Sequence, residues 1–340
     1  APCRDACPAG QRAQGYIALV REGRYADALR VIREDNPFPG ICGRICNHRC
    51  ELACNRNLVD EPLNIHALKR FVADWAYSKD REPIQRVPQT RTQRVAVIGA
   101  GPCGLTAAKD LVTLGYGVTV FESLPVAGGM LRVGVPEYRL PAAIVDREVQ
   151  DIVDLGVDLR LNTTVNNLDD LFAHGFDSVL IAVGAHEGKK LPIPGADLPD
   201  VLVNTQFLRD VRLAELQTSN LKSQIADGDD LKFEVGTLRV KFEVEHSVYG
   251  KRVLVLGGGN VAIDCARTAV RLGAASVAMA CLESREKMPA HPWEIEEAEA
   301  EGVTMYPARS FKRILEGDER RVTGVESVNV RFMDFDSEGK

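Results

Sequence analysis

Two short glycine-rich stretches carry the most chemical information in this chain: Val95-Ala-Val-Ile-Gly99-Ala-Gly101-Pro-Cys-Gly104 and Val253-Leu-Val-Leu-Gly257-Gly-Gly259-Asn-Val-Ala262. In such a loop the first glycine permits a tight turn, the second lets the backbone approach a pyrophosphate, and the third lets helix and strand pack closely. The helix that follows turns amide N–H groups and a partial positive charge toward the phosphates. Glu122 closes the strand after the first loop, where it can accept ribose hydroxyls. The plain alternative, a glycine turn with a surface glutamate, does not account for strand, helix and acid together. The second loop has Ala262 as its small packing residue and leads to Glu283. An acid here favours a free 2′-hydroxyl and repels a 2′-phosphate, so the expected nucleotide is NAD rather than NADP, although Arg285 next door offers a phosphate partner. Two nucleotides on one polypeptide are the equipment for passing hydride between a nicotinamide and a flavin.

A third chemical feature is the distribution of cysteine. Six of the nine fall at Cys3, Cys7, Cys42, Cys46, Cys50 and Cys54. In a nucleotide-binding protein such clustering favours metal or iron–sulfur ligation over a disulfide framework. Cys103, Cys265 and Cys281 lie in or beside the nucleotide-loop elements and read as small buried residues. His291, between prolines, reads as structural, and the acids of Glu294–Glu301 as ordinary complement to a helix N-terminus.

The elements needed to position these groups are visible in the periodicity. Gln14–Glu22, Tyr25–Glu34 and Asn64–Ser78 have apolar residues at helical spacing, with Asn36–Gly40 as a turn between them. Residues 81–94 are polar and proline-punctuated, a linker. From there the rhythm is strand–helix–strand: Val95–Ile98, Leu105–Leu114 and Val118–Phe121, then Val179–Val183, and again Arg252–Leu256, Ala262–Leu272 and Ser276–Ala280. The expected architecture is α/β, with two Rossmann-like dinucleotide-binding domains (FAD and NAD) preceded by an all-helical Cys-rich domain. The boundaries expected are 1–80, a linker at 81–94, the first part of an FAD domain at 95–205, and a nicotinamide domain at 206–340. The last holds a mixed helical and hairpin-like insert at 207–250, in which Leu238–Val244 alternates as an exposed strand would.

Composition excludes other classes. The balance of 42 Lys+Arg against 48 Asp+Glu, without a long basic run, argues against nucleic acid or an anionic membrane as partner. No apolar stretch approaches the ~20 residues of a membrane span. Ala1-Pro-Cys-Arg has neither the basic nor the apolar region of a secretory signal, so a cytoplasmic location is expected.

Three motifs in order, Pro37-Phe-Pro-Gly-Ile-Cys-Gly-Arg-Ile-Cys46, Gly128-Gly-Met-Leu-Arg-Val-Gly-Val-Pro-Glu-Tyr-Arg-Leu-Pro141 and Glu286-Lys-Met-Pro-Ala290, resemble the family of the glutamate synthase small (β) subunit. The same family includes the N-terminal part of dihydropyrimidine dehydrogenase and flavin subunits of anaerobic aldehyde or 2-oxoacid oxidoreductase complexes. The resemblance covers nearly the whole chain. It implies a helical iron–sulfur domain, an FAD domain and a nicotinamide domain inserted within it. It also implies an NAD(P)H:acceptor oxidoreductase whose electrons reach an iron–sulfur electron-transfer subunit and a substrate-oxidising subunit. On this chain it would place Gly99, Gly101, Gly104 and Glu122 at the FAD pyrophosphate and ribose. Gly129, Met130, Leu131 and the Gly134-Val135-Pro136 turn would lie near the rest of the flavin, with Gly184 at the crossover strand end. Gly257, Gly259, Asn260 and Val261 would hold the nicotinamide dinucleotide.

The chain departs from the family pattern in ways that bear on function. NADP-selective members carry paired arginines where Leu282-Glu283 stand, and a C-x-x-C pair upstream of Cys3 and Cys7 is absent. The N-terminal cysteines are compatible with zero, one or two clusters. The expectation is one 4Fe-4S cluster, drawing on Cys7, Cys46 and Cys50, with Cys3, Cys42 and Cys54 as further candidates; the alternative is vestigial cysteines packed in a helical domain that serves docking. Lys69 stands where one relative uses a glutamine ligand. The family's Gly-Asp segment beneath the flavin is not reached by residue 340, which implies a longer native protein. The alternatives are a true NADPH-dependent glutamate synthase small subunit, or a docking scaffold without catalysis.

Overall fold

The computed structural model describes residues 1–81, 83–226 and 248–331. It divides into two compact units, Ala1–Gly184 and Ala185–Lys340.

The first unit begins with helices. Ala13–Arg21, Tyr25–Asp35 and Ile65–Tyr77 bury Ala13, Tyr16, Ala28, Ile32, Ile65 and Val72 against one another. Asn64 caps the last of them, its side-chain oxygen accepting from the Ala67 amide at 3.3 Å. The stretch expected as a turn ends in structure instead: Pro39 and Gly40 open a helix, Pro39–Ile45. Proline is well suited to the first helical position, where its missing N–H costs nothing. Phe38 and Ile41 reach out of the helical layer and join the core beneath the adjacent sheet.

That sheet is parallel, ordered β3-β2-β1-β4 from Asp158–Arg160, Gly117–Phe121, Arg94–Ile98 and Ser178–Ile181. Val95, Val97, Val118 and Val120 are buried in it, as expected of a sheet covered on both faces. The helix Pro102–Thr113 connects β1 to β2 and buries Leu105, Ala108 and Val112. Ala142–Asp154 is a helix that no sequence expectation covers, with Val145, Glu148, Val149 and Ile152 on its buried face. The strand expected to Val183 stops at Ile181, and Val183 is exposed.

The second unit has a three-stranded parallel sheet, β5-β6-β7, from Arg252–Leu256, Ser276–Ala280 and Thr304–Tyr306. Helices Asn260–Arg271 and Pro292–Ala300 pack Ile263, Ala266, Ala269, Ile295 and Ala298 with Val277 and Met279 of the sheet. An antiparallel pair, β8 (Arg309–Glu316) and β9 (Val322–Asn329), follows. The helix Asn204–Ala226 occupies the first part of the expected insert, while the strand expected at 238–244 lies outside the described residues.

Candidate functional site

At the carboxyl end of β1 the chain turns through Gly99, whose φ is +104° and whose missing Cβ would stand 2.5 Å from the Ala182 carbonyl oxygen. A side chain at Gly104 would meet the Gly99 carbonyl oxygen at 2.0 Å, so the helix packs directly on the turn. Gly101 is the helix cap, and its Cα side is open except toward Gly129, 3.9 Å away. Glu122 is 7 % exposed at the end of β2. One carboxylate oxygen accepts from the Ala100 amide at 2.8 Å and the other from the Leu124 amide at 2.9 Å. A carboxylate has about four lone-pair sites, so capacity for hydroxyl donors remains.

The Gly128-Gly129 motif, distant in sequence, closes on this loop. The Gly128 amide donates to Ala100 O at 2.8 Å, and Gly129 adopts φ +53° against Gly101. The short helix Met130–Val133 starts there, and Leu131 and Val135 pack on the sheet core. Gly184, φ +69°, lies just past β4, whose Ala182 amide donates to Ile98 O at 2.8 Å. The first unit thus gathers Gly99, Gly101, Gly104, Glu122, Gly129, Met130 and Gly184 around one strand–turn–helix, at the N-terminus of the helix Pro102–Thr113.

The second loop has its own supports. Gly257 turns with φ +139°, its amide donating to Ala280 O at 2.8 Å. Gly259 caps the helix in open space, and Asn260 and Val261 begin it. The Asn260 side-chain oxygen accepts from the His291 amide at 3.1 Å, and the Ala290 amide donates to Gly258 O at 3.0 Å. The His291 ring stacks on Trp293, consistent with a structural role. A Cβ at Gly258 would meet a Glu283 carboxylate oxygen at 3.1 Å, so that acid sits directly on the glycine loop. Arg285 is engaged elsewhere, its guanidinium 2.6 Å from Glu299. The acids of the following helix are paired too: Glu297 and Glu301 hold Arg267 at 2.5 Å and 2.6 Å.

In the helical layer, Cys3, Cys7, Cys46 and Cys50 line a single pocket with Gln11, Tyr16 and Lys69. Burial, and the proximity of Cys50, Cys7, Cys3 and Cys46, hold the Tyr16 hydroxyl far above its ordinary pKa. Burial, with Cys46, Glu51 and Cys7 nearby, pushes the Cys50 thiol up to about 11. Metal binding would have to displace that proton. Among the described residues no three His, Cys, Asp or Glu side chains converge closely enough for a single metal ion. A four-iron cluster asks for four thiolates spread around a larger volume, and the donor set here fits that chemistry.

Cys3, a further candidate in the sequence beside Cys7, Cys46 and Cys50, lines the same pocket as those three. The remaining candidates are placed differently. Cys42 faces the core beneath the β3-β2-β1-β4 sheet, burial raises its pKa, and its thiol lies 3.8 Å from Asn36 Oδ1. Cys54 precedes the turn of helix Asn55–Leu58 and does not line the pocket. Of the three other cysteines, Cys265 and Cys281 are buried as expected. Cys103 is exposed, because the first turn of its helix faces the open side of the glycine loop. A separate cavity of about 450 Å³ between Arg94, Arg160, His174 and Phe176 contains none of the motif residues.

Residues 1–81 match the family described as dihydropyrimidine dehydrogenase domain II, 4Fe-4S cluster, and residues 93–336 match pyridine nucleotide-disulphide oxidoreductase. The chain belongs to the pyridine nucleotide-disulphide oxidoreductase family. FAD and a pyridine dinucleotide come with that fold, and a 4Fe-4S cluster with the N-terminal region. The chain is 37% identical over 366 residues to the NADP(+)-dependent formate dehydrogenase subunit beta of Moorella thermoacetica, covering 100% of this chain and 47% of that protein. It is 34% identical over 310 residues to the NAD-dependent dihydropyrimidine dehydrogenase subunit PreT homolog of Salmonella typhi, covering 90% of this chain and 67% of the relative. With the glutamate synthase [NADPH] small chain of Escherichia coli K12 it shares 30% over 343 residues, 99% and 68% of the two chains. The resemblance read from the three motifs is therefore to the right family, and the chain spans about half the length of the formate dehydrogenase subunit. No described helix is long and apolar enough to cross a membrane.

Proposed function

We propose that this chain is the flavin-containing electron-transfer part of a multisubunit iron–sulfur oxidoreductase, exchanging hydride with a pyridine nucleotide and electrons with partner chains. The observation that carries this reading is the pocket of four thiols in the same compact unit as the first dinucleotide loop. That pairing distinguishes it from a docking scaffold, which would have no use for four cysteines lining one pocket. Bound FAD accepts two electrons as hydride and releases them singly, the conversion a cluster requires.

The chain's own residues bind and orient. Gly99, Gly101 and Gly104 admit the FAD pyrophosphate to the helix N-terminus, Glu122 accepts from the ribose, and the Gly129–Val135 segment borders the remainder. Gly257, Gly259, Asn260 and Val261 take the pyrophosphate of the nicotinamide dinucleotide, with Glu283 on its ribose. Cys3, Cys7, Cys46 and Cys50 ligate one 4Fe-4S cluster. The partners are an iron–sulfur electron-transfer subunit and a substrate-oxidising subunit, of the aldehyde or 2-oxoacid type, and the location is cytoplasmic.

NAD is the nucleotide favoured by Glu283, because its carboxylate on the glycine loop opposes a 2′-phosphate. NADP is a second reading, supported by the names of two relatives, the NADP(+)-dependent formate dehydrogenase subunit and the NADPH glutamate synthase small chain, and by Arg285. The Arg285–Glu299 pair is half exposed, and such pairs are weak enough to exchange partners. Anaerobic titration of the purified native protein with NADH and with NADPH separates the readings. Bleaching of the flavin band at much lower NADH supports the first, and the reverse supports the second. Flavin absent, or reduced by neither nucleotide, would leave only the scaffold.

A further inference from the structure

Lys69 is 7 % exposed on the helix Ile65–Tyr77, in the same buried stripe as Ile65, Val72 and Ala73, and it lines the four-cysteine pocket. A buried ammonium without a compensating charge is costly, so its surroundings should supply an anion. The carboxylates near it are committed elsewhere. Asp74 pairs with Arg44 at 2.7 Å and Arg70 at 3.4 Å. Glu51 accepts from the His66 amide at 2.7 Å and lies 3.4 Å from His48. Glu148 accepts from the Gly40 and Ile41 amides. Among the described residues Lys69 forms no ion pair, and it lies beside the cysteines of the pocket, with Cys42 and the His66 ring also close enough to feel its charge.

Resting on the cluster reading above, we propose that Lys69 is a positioning residue whose fixed positive charge raises the reduction potential of the cluster held by Cys3, Cys7, Cys46 and Cys50. An ammonium has three donors and no lone pair, so it is not a ligand, and four thiolates complete the coordination without it. A tetrathiolate cluster is anionic in both redox states and gains one negative charge on reduction. The interaction with Lys69 is therefore stronger in the reduced state, and in a low-dielectric pocket that difference is large. Each hydride from a pyridine nucleotide brings two electrons. A cluster held by these four cysteines would accept them one at a time, and Lys69 would act on it through charge alone, without bonding to it.

The test is an EPR-monitored redox titration of the anaerobically purified native complex, carried out on the unsubstituted protein, Lys69→Met and Lys69→Arg. Iron and acid-labile sulfide are measured alongside. Lys69→Met is expected to keep full iron content and lower the reduced-to-oxidised ratio at fixed potential by tenfold or more, about 59 mV for a one-electron couple. Lys69→Arg, which keeps the charge, is expected to restore most of that shift. An unchanged potential in iron-replete Lys69→Met overturns the proposal. So does a changed cluster type in that variant, which would make Lys69 part of the ligation. Should Lys69→Met fail to assemble its cluster, Lys69→Leu, which is neutral and offers no ligating atom, carries the same comparison; loss of iron in both neutral variants with full content in Lys69→Arg would make the residue an assembly determinant and overturn the tuning role. Iron missing from the unsubstituted protein removes the cluster reading itself, an outcome distinct from any Lys69 effect.

Discussion

A methyl group at Gly99 would lie 2.5 Å from a backbone carbonyl, at a φ that L residues avoid. Neither obstacle relaxes by rotating a side chain. Gly99→Ala is expected to lower unfolding stability by about 1–3 kcal/mol and to release FAD, read by denaturant melts and by flavin absorbance after gel filtration. Gly101→Ala differs, since its surroundings are open: stability should be nearly unchanged while flavin affinity falls. For nucleotide choice the informative residue is Glu283. Replacing it by Gln removes the charge that opposes a 2′-phosphate, and the NADPH-to-NADH ratio of kcat/KM should rise about tenfold, ~1.4 kcal/mol of discrimination. A ratio that stays constant would mean the Glu283 carboxylate does not face the ribose. Gly99, Gly101 and Gly104 of the first loop, and Gly257, Gly259 and Ala262 of the second, were legible in the sequence because their roles are local, set by a strand, a turn and a helix within ten residues. Which of Cys3, Cys42 and Cys54 joins Cys7 in the cysteine pocket was not, because meeting Cys46 and Cys50 there depends on how whole helices pack.

At the scale of elements, the helix Ala142–Asp154 shows what local periodicity misses. Val145, Val149 and Ile152 have helical spacing, but Glu148 interrupts the stripe with a charge that would ordinarily mark a surface. Its partners explain the burial. The Gly40 amide donates at 2.6 Å and the Ile41 amide at 3.1 Å, both from the first turn of Pro39–Ile45, and the Tyr77 hydroxyl donates as well. Burial outweighs these bonds and pushes the Glu148 pKa up to about 7 from 4.5. Between those values the folded protein holds a proton that the unfolded chain has lost. Stability contributed by this group is therefore greatest below pH 4.5 and declines as pH rises toward 7, on the order of 3 kcal/mol across the window. Denaturant midpoints of Glu148→Gln should lack that component of the pH dependence. A parallel pH profile in both proteins would show that Glu148 is ionised throughout.

For the whole molecule the expectation is one flavin and one cluster per chain, so about four iron and four acid-labile sulfide per FAD. Cys50→Ser should lose the iron, whereas Cys54→Ser should retain it, and spectra of the two variants decide whether the pocket or its neighbourhood holds the metal. The α/β class and the order of a helical region followed by two strand–helix–strand units were readable from patterning, because parallel strands and their helices alternate so regularly here. The β8–β9 pair was not, since Arg309–Glu316 has too mixed a burial pattern to alternate clearly. One packing feature has a bearing on ancestry. Phe38 and Ile41 lie in the same core as Val97, Val120 and Leu140. The cysteine-bearing helices are thus not a cartridge that recombination could exchange at the proline-rich stretch after Lys79. A gene fusion joining residues 1–80 to a foreign flavoprotein would strand two large apolar side chains in water and leave a hole in the recipient. Lineages that shed their clusters should accordingly keep these helices, losing cysteines one substitution at a time while the surface that grips the sheet persists.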